Sequence, residues 1–260
     1  MQAHLRAGRL LTGALAITLS ALLSGCTADP PAPAPTSTAD PAPAEVDAAR
    51  DELAALAAAA QDRHLTAAYT FATGDGPDRT ITVTSANDGT WRVDVPGWGR
   101  GGTVDVSLAA TADGLFQCAL TSAGHAAPPS CVRLGDPDDS VPRKLDPRVQ
   151  HPFTDWLEVL TDRRAPLAVS PAEPPTGAAG QCYSVESTSA SLNAPLDVGI
   201  YCYRPDGTPS AVRAAFGTLR LAGEPGPAPA TVALAGPVTE DDPVGREAPT
   251  PDDSPSSGTQ

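Results

Sequence analysis

Residues 79–95 read RTITVTSANDGTWRVDV, and this stretch decides the fold class. Apolar residues recur at every second position, Ile81 and Val83 before the middle, then Trp91, Val93 and Val95 after it. A period of two belongs to a strand with one buried face. Between the two runs stands Asn87-Asp88-Gly89. Tight hairpin turns need positive φ, and Asn, Asp and Gly adopt it at least strain. The stretch therefore predicts two antiparallel strands.

The same pattern extends outward. LTAAYTFAT (65–73) alternates Ala67, Tyr69 and Phe71, and TVDVSLAAT (103–111) alternates Val104, Val106 and Leu108. An Ala-Asp-Gly turn leads to LFQCAL (115–120), and CVRL (131–134) returns after a loop at 121–130. PGWGRGG at 96–102 interrupts the alternation and predicts a bulged corner where glycine lets the backbone turn. Later strands are expected in CYSVEST (182–188), in VGIYCY and TPSAVRAAF around a Pro205-Asp206-Gly207 turn, in GTLRLAG (217–223) and in ATVALAGPV (230–238).

Two stretches carry helical spacing. Residues 45–63 lack Gly and Pro, and Val46, Ala49, Leu53, Leu56 and Ala60 recur on one side. Residues 147–162 place Val149, Phe153, Trp156, Leu157 and Leu160 on one side, with Pro152 in the first turn. A Pro-rich loop is expected at 165–181. The order is helix, strands, helix, strands. Without βαβ alternation, a parallel sheet is not expected.

The N-terminus supplies an address. Arg6 and Arg9 precede a mostly apolar run from Leu10 to Leu23, and Leu23-Ser24-Gly25-Cys26 closes it. A basic start, a short apolar run and small residues before a cut describe a secretory signal. About 14 residues fall short of the roughly 20 that a membrane-spanning helix needs. The organisation expected is a signal peptide at 1–25, a Pro/Ala/Thr-rich stalk at 26–44, a body at 45–238 and an acidic Pro/Ser-rich tail at 239–260.

The 260-residue chain carries 17 Lys and Arg against 31 Asp and Glu, a formal charge of −14. Removing the signal takes away two arginines and no acid, so the remainder is more acidic still. Such a surface argues against nucleic acid, which demands basic patches. It also argues against adhesion to anionic lipid by charge.

Besides Cys26 there are Cys118, Cys131, Cys182 and Cys202. An even number in an exported chain predicts two disulfides. Three pairings are open. Cys118–Cys131 and Cys182–Cys202 are favoured because each would join neighbours flanking an expected hairpin. No C-x-x-C pair is present, so a zinc site is not expected.

Catalytic signals are absent. There is no G-x-S-x-G elbow, and His64, His125 and His151 show no i, i+4 pairing with one another. GDPDDS (135–140) lacks the spacing of a calcium loop. The chain is expected to be no enzyme, with neither a catalytic residue nor a metal or other cofactor.

The layout resembles the LolA/LolB-type lipoprotein-carrier superfamily, which includes LprG- and LppX-like bacterial lipoproteins. The resemblance is carried by the Leu-Ser-Gly-Cys lipobox, the stalk and leading helix, SANDGTWRVDV, TADGLFQC, the intervening QHPFTDWLEVLTD, and IYCYRPDGTPSAVRAAFGTLRL with Pro237-Val238. It implies lipid attachment at Cys26 and a tether on the outer side of the cell membrane. It implies an α+β fold, a strongly curved antiparallel sheet or half-barrel with helices covering the concave face. It also implies that acyl chains of a lipid or glycolipid lie in an apolar hollow. Phe153, Trp156, Leu160 and Trp91 are the candidates to line that hollow. Two alternatives stay open, a module with a packed interior that docks a protein or cell-wall component, and a hydrolase with an unrecognised site. The sequence leaves the oligomeric state undetermined.

Overall fold

The computed structural model describes residues 43–74, 76–189 and 194–248. The segments expected to be a signal peptide and most of a stalk, Cys26 among them, and residues 249–260 lie outside them.

Helix α1 (Pro43–Gln61) opens the described chain. Ala49, Leu53, Ala57 and Ala60 form its buried stripe, spaced so that they stack on one side of a 3.6-residue helix. Six strands follow, β1 (Leu65–Ala72), β2 (Arg79–Ser85), β3 (Trp91–Gly99), β4 (Val104–Thr111), β5 (Gly114–Leu120) and β6 (Ser130–Gly135). After a long connection carrying α2 (Asp155–Thr161) come β7 (Leu167–Pro171), β8 (Gln181–Ser187), β9 (Gly199–Tyr203), β10 (Pro209–Ala214), β11 (Gly217–Leu221) and β12 (Gly226–Pro227).

The strands form one antiparallel sheet in the order β6-β5-β4-β3-β2-β1-β11-β10-β9-β8-β7, with the short β12 beside β1. The first meander runs outward from β1. The second starts at the far edge and works back until β11 pairs with β1. The expected hairpins set the registers. Val83 faces Val93 across β2 and β3, and Gly89 closes the turn with φ +84°. The glycine-rich corner shifts the β3–β4 register between Val95 and Gly99.

The fold is sheet-dominated, and this corrects the expectation of an α+β, strongly curved half-barrel whose concave face is covered by helices. The sheet is open and is neither closed nor strongly curled, and two α-helices are present among the described residues. The reason lies in the second helix. Thr154 takes φ −129° and ψ −115°, so 151–153 make a separate 3-10 turn and α2 keeps seven residues. That is too little helix to line twelve strands. The face foreseen at 147–162 is split accordingly. Trp156, Leu157 and Leu160 join α1 and β7–β10 in one core, while Val149 and Phe153 pack on the β1–β4 core.

Two further segments differ from the sequence reading. The Pro-rich loop at 165–181 contains edge strand β7. Residues 230–238 do not form a strand, apart from one parallel bridge between Val238 and Cys131. This segment instead runs past the hairpin tip, where Asn87 N–H donates to Pro229 O at 3.0 Å, and on to the β6 edge. There Cys131 N–H donates to Pro237 O and Thr239 N–H to Cys131 O, both at 2.8 Å. Residues 239–248, grouped with the tail in the sequence reading, lie back against the sheet. The buried Gln117 side chain donates to Val244 O at 3.0 Å and accepts from Val244 N–H at 2.6 Å.

Candidate functional site

A cleft of about 540 Å³ lies over β1–β3. Its floor follows from strand alternation. Leu65, Tyr69, Val83 and Trp91 project from one face of the sheet, in the registers Ala67↔Val83 and Ser85↔Trp91. Phe153 and Leu157 from the α2 region add to it. The Phe153 ring packs on Tyr69 with centroids 4.8 Å apart. The walls are the C-terminal end of α1 (Arg63 and His64 just beyond it), the loop 137–141 and the turn 150–158. The lip is polar and mostly acidic, with Asp138, Asp139, Asp155 and Glu158. The cleft is therefore apolar below and charged above, and its volume falls in the range of small-ligand sites.

The turn forming one wall is held by His151. Its Nε2 lies 2.9 Å from Asp146 Oδ2 and its Nδ1 2.7 Å from Asp155 Oδ1. Its ring stacks on Trp156 with centroids 5.1 Å apart. Burial opposes charge on the imidazole, but hydrogen bonds and attraction from the two carboxylates outweigh it, and the pKa rises to about 9. Burial also acts on Asp146, yet His151 and Gln150 hold its carboxyl below the usual range. With both nitrogens donating to carboxylates, the imidazole has no lone pair with which to act as a base. It works as a clasp for the turn.

Asp146 gathers further bonds. Gln150 Nε2 and Arg148 N–H both donate to its Oδ1 at 2.8 Å. Arg148 adopts φ +68° and reaches Asp197 at 2.5 Å. Gln150 is 1 % exposed, and its Oε1 has no hydrogen-bond partner among the described residues.

The candidate hollow residues divide between two places. Phe153 and Trp91 line the cleft. Trp156 and Leu160 do not, because α2 turns them into the packed core with Leu53, Tyr201 and Tyr203. Trp156 is 3 % exposed, and its surroundings are filled by Tyr201, Phe216 and His151. Strand alternation predicts Tyr69 and Val83 only as positions on one strand face, and Leu65 carries no signal of its own for the cleft. The clasp had one sequence signal, His151 and Asp155 at i, i+4 spacing, which is an ion-pair spacing on a helical turn.

The cysteines form Cys118–Cys131 and Cys182–Cys202, each between directly opposed residues of adjacent strands. His125 sits in a tight turn bridged to Ser122, far in sequence from the clasp. It lines a second cleft of about 400 Å³ beneath residues 241–244. Among the described residues no three His, Cys, Asp or Glu side chains gather so as to hold a metal ion, and no helix is long and apolar enough to cross a membrane. No protein-family model and no curated protein matches the chain, so the site is read on its own geometry.

Proposed function

We propose that this chain is a membrane-anchored extracytoplasmic lipoprotein that binds the apolar chain of an amphiphile without catalysing a reaction. The observation that carries the reading is the cleft over β1–β3, whose floor is Leu65, Val83, Trp91, Phe153 and Leu157. Its mouth is open to a polar lip, so a chain lies against the floor while a head group stays at the water. Each methylene taken from water contributes about 0.8 kcal/mol. The lipobox at Leu23–Cys26 supports an acyl tether, which would keep the cleft beside a lipid source. The clasped state of His151 supports a binding role over an acid–base one.

Native mass spectrometry of the protein after incubation with a lipid extract tests the proposal. One retained acyl ligand per chain is expected, and Val83→Trp, which fills the floor, removes it. A protein that retains no lipid, and whose Trp fluorescence does not change on titration with fatty acid, sinks the reading.

A further inference from the structure

We propose that the groove beneath residues 240–248 docks an extended acidic segment of a partner protein, and that this stretch of the chain is its internal stand-in. The groove shares no lining residue with the acyl cleft, and docking there is independent of the acyl-binding reading. The way the groove holds its present occupant carries the inference. Among residues 240–248 only Val244 is buried. Gln117, 1 % exposed, commits both ends of its amide to the Val244 main chain, donating to O at 3.0 Å and accepting from N–H at 2.6 Å. Arg100 N–H donates to Gly245 O at 2.9 Å and Gly101 N–H to Arg246 O at 2.8 Å. Gly99 lets the Val244 side chain in, since a Cβ there would stand 2.5 Å from Val244 Cγ1. Bonds to the main chain with one pocket for a side chain are how proteins take up an extended peptide, the backbone giving affinity and the pocket selectivity.

The glycine-rich corner is shaped for this task. Arg100 holds φ +49° and Gly101 φ +70°, and their successive N–H groups both meet the same segment. Left-handed backbone at a residue other than glycine persists only where its surroundings fix it, and such strain gathers at ligand clamps.

The occupant is smaller than its site. A cleft of about 400 Å³ lies beneath residues 241–244. Arg100 and His125 line it from the body, Asp241 and Asp242 from the strap. Yet none of the four is in an ion pair among the described residues. A glutamate carries its carboxylate one methylene further than an aspartate. Glutamates ahead of a Pro-Val step therefore bring negative charge closer to Arg100 and His125 than the strap does. Unused room and charge together select an acidic segment of longer reach.

The test uses the full chain carrying Val244→Asp, which ejects the anchor and leaves the groove intact. The probe is a labelled peptide of residues 239–248 with Asp241→Glu and Asp242→Glu, followed by fluorescence anisotropy. One-to-one binding is expected. The wild type binds about thirtyfold more weakly, because its own strap must first leave. A neutral peptide with Glu240→Gln, Asp241→Gln and Asp242→Gln binds about tenfold more weakly than the acidic one at low salt. Adding Gly99→Ala, whose Cβ fills the Val244 pocket, abolishes binding. Should Val244→Asp disturb the near-UV circular dichroism, Val244→Ala takes its place with the same order expected. No binding by a folded released chain overturns the proposal, as does equal binding of the acidic and neutral peptides. A wild-type dimer in sedimentation that Val244→Asp dissolves also overturns it, and makes the occupant a second copy of this chain.

Discussion

At the residue scale, His151 is the most tightly constrained side chain near the cleft. Two carboxylates raise its pKa from the ordinary 6.5 to about 9. A raised folded-state value contributes stability that is complete below pH 6.5 and disappears as pH climbs through 9. The shift corresponds to up to about 3 kcal/mol. Urea unfolding at pH 6.0 and pH 9.5 is expected to show the wild type less stable at the higher pH. His151→Gln is expected to show a smaller difference between the two conditions; an equal difference removes the clasp. None of this was legible at position 151 alone. The sequence placed His151 before Pro152 at a helix start, but Asp146 reaches it from a loop whose path depends on the rest of the fold.

At the element scale, the hairpins followed their turn signals and the helices followed them in part. Pro205-Asp206-Gly207 closes β9 onto β10, with Gly207 N–H donating to Arg204 O and φ at +83°. A Cβ on Gly207 would stand 2.6 Å from α1 backbone at Ala59. Gly207→Ala is thus expected to cost about 3 kcal/mol, combining left-handed strain with a clash. Gly74 has φ +86° but open space around it, so Gly74→Ala is expected to cost about 1 kcal/mol. Thermal unfolding of the two variants separates clash from strain, and equal losses contradict the account. The disulfides act on whole elements. Each closes a loop of 13 or 20 residues, and Cys182→Ala with Cys202→Ala is expected to remove about 3 kcal/mol in chemical denaturation. Helix α2 shows where periodicity fails. Periodicity predicts one helical face at 147–162 from Val149, Phe153, Trp156 and Leu160, but two separate cores draw on those residues and the helix breaks between them. Strand β7 is hidden in the sequence for a related reason, because Pro166 before it and Pro171 at its end suit only an edge.

At the scale of the whole molecule, an open sheet must protect two edges. Arg50 of α1 guards β7, donating to Leu167 O at 2.5 Å and Ala165 O at 2.7 Å. Residues 237–239 guard β6, and the chain then lays Val244 over Gln117. Removing residues 239–260 strips the Thr239 bond and re-exposes the Val244 site. The truncated chain is expected to lose about 2 kcal/mol and to show faster amide exchange in β5 and β6 than in β8 and β9. Unchanged protection there would mean that the returning segment is a passenger.

The sequence by itself determined most of the strands, their turns, the leading helix and the two cysteine pairs. These rest on local periods and on backbone preferences that neighbours in sequence can express. The tertiary structure decided what lies on what. It opened the sheet, cut the second helix, drew the acidic C-terminal segment back over β5, and lined the cleft with Trp91 and Phe153 while packing Trp156 into a core. Each of those outcomes depends on contacts between residues far apart in the chain, and burial is shared out among competing cores only once the strands are in register.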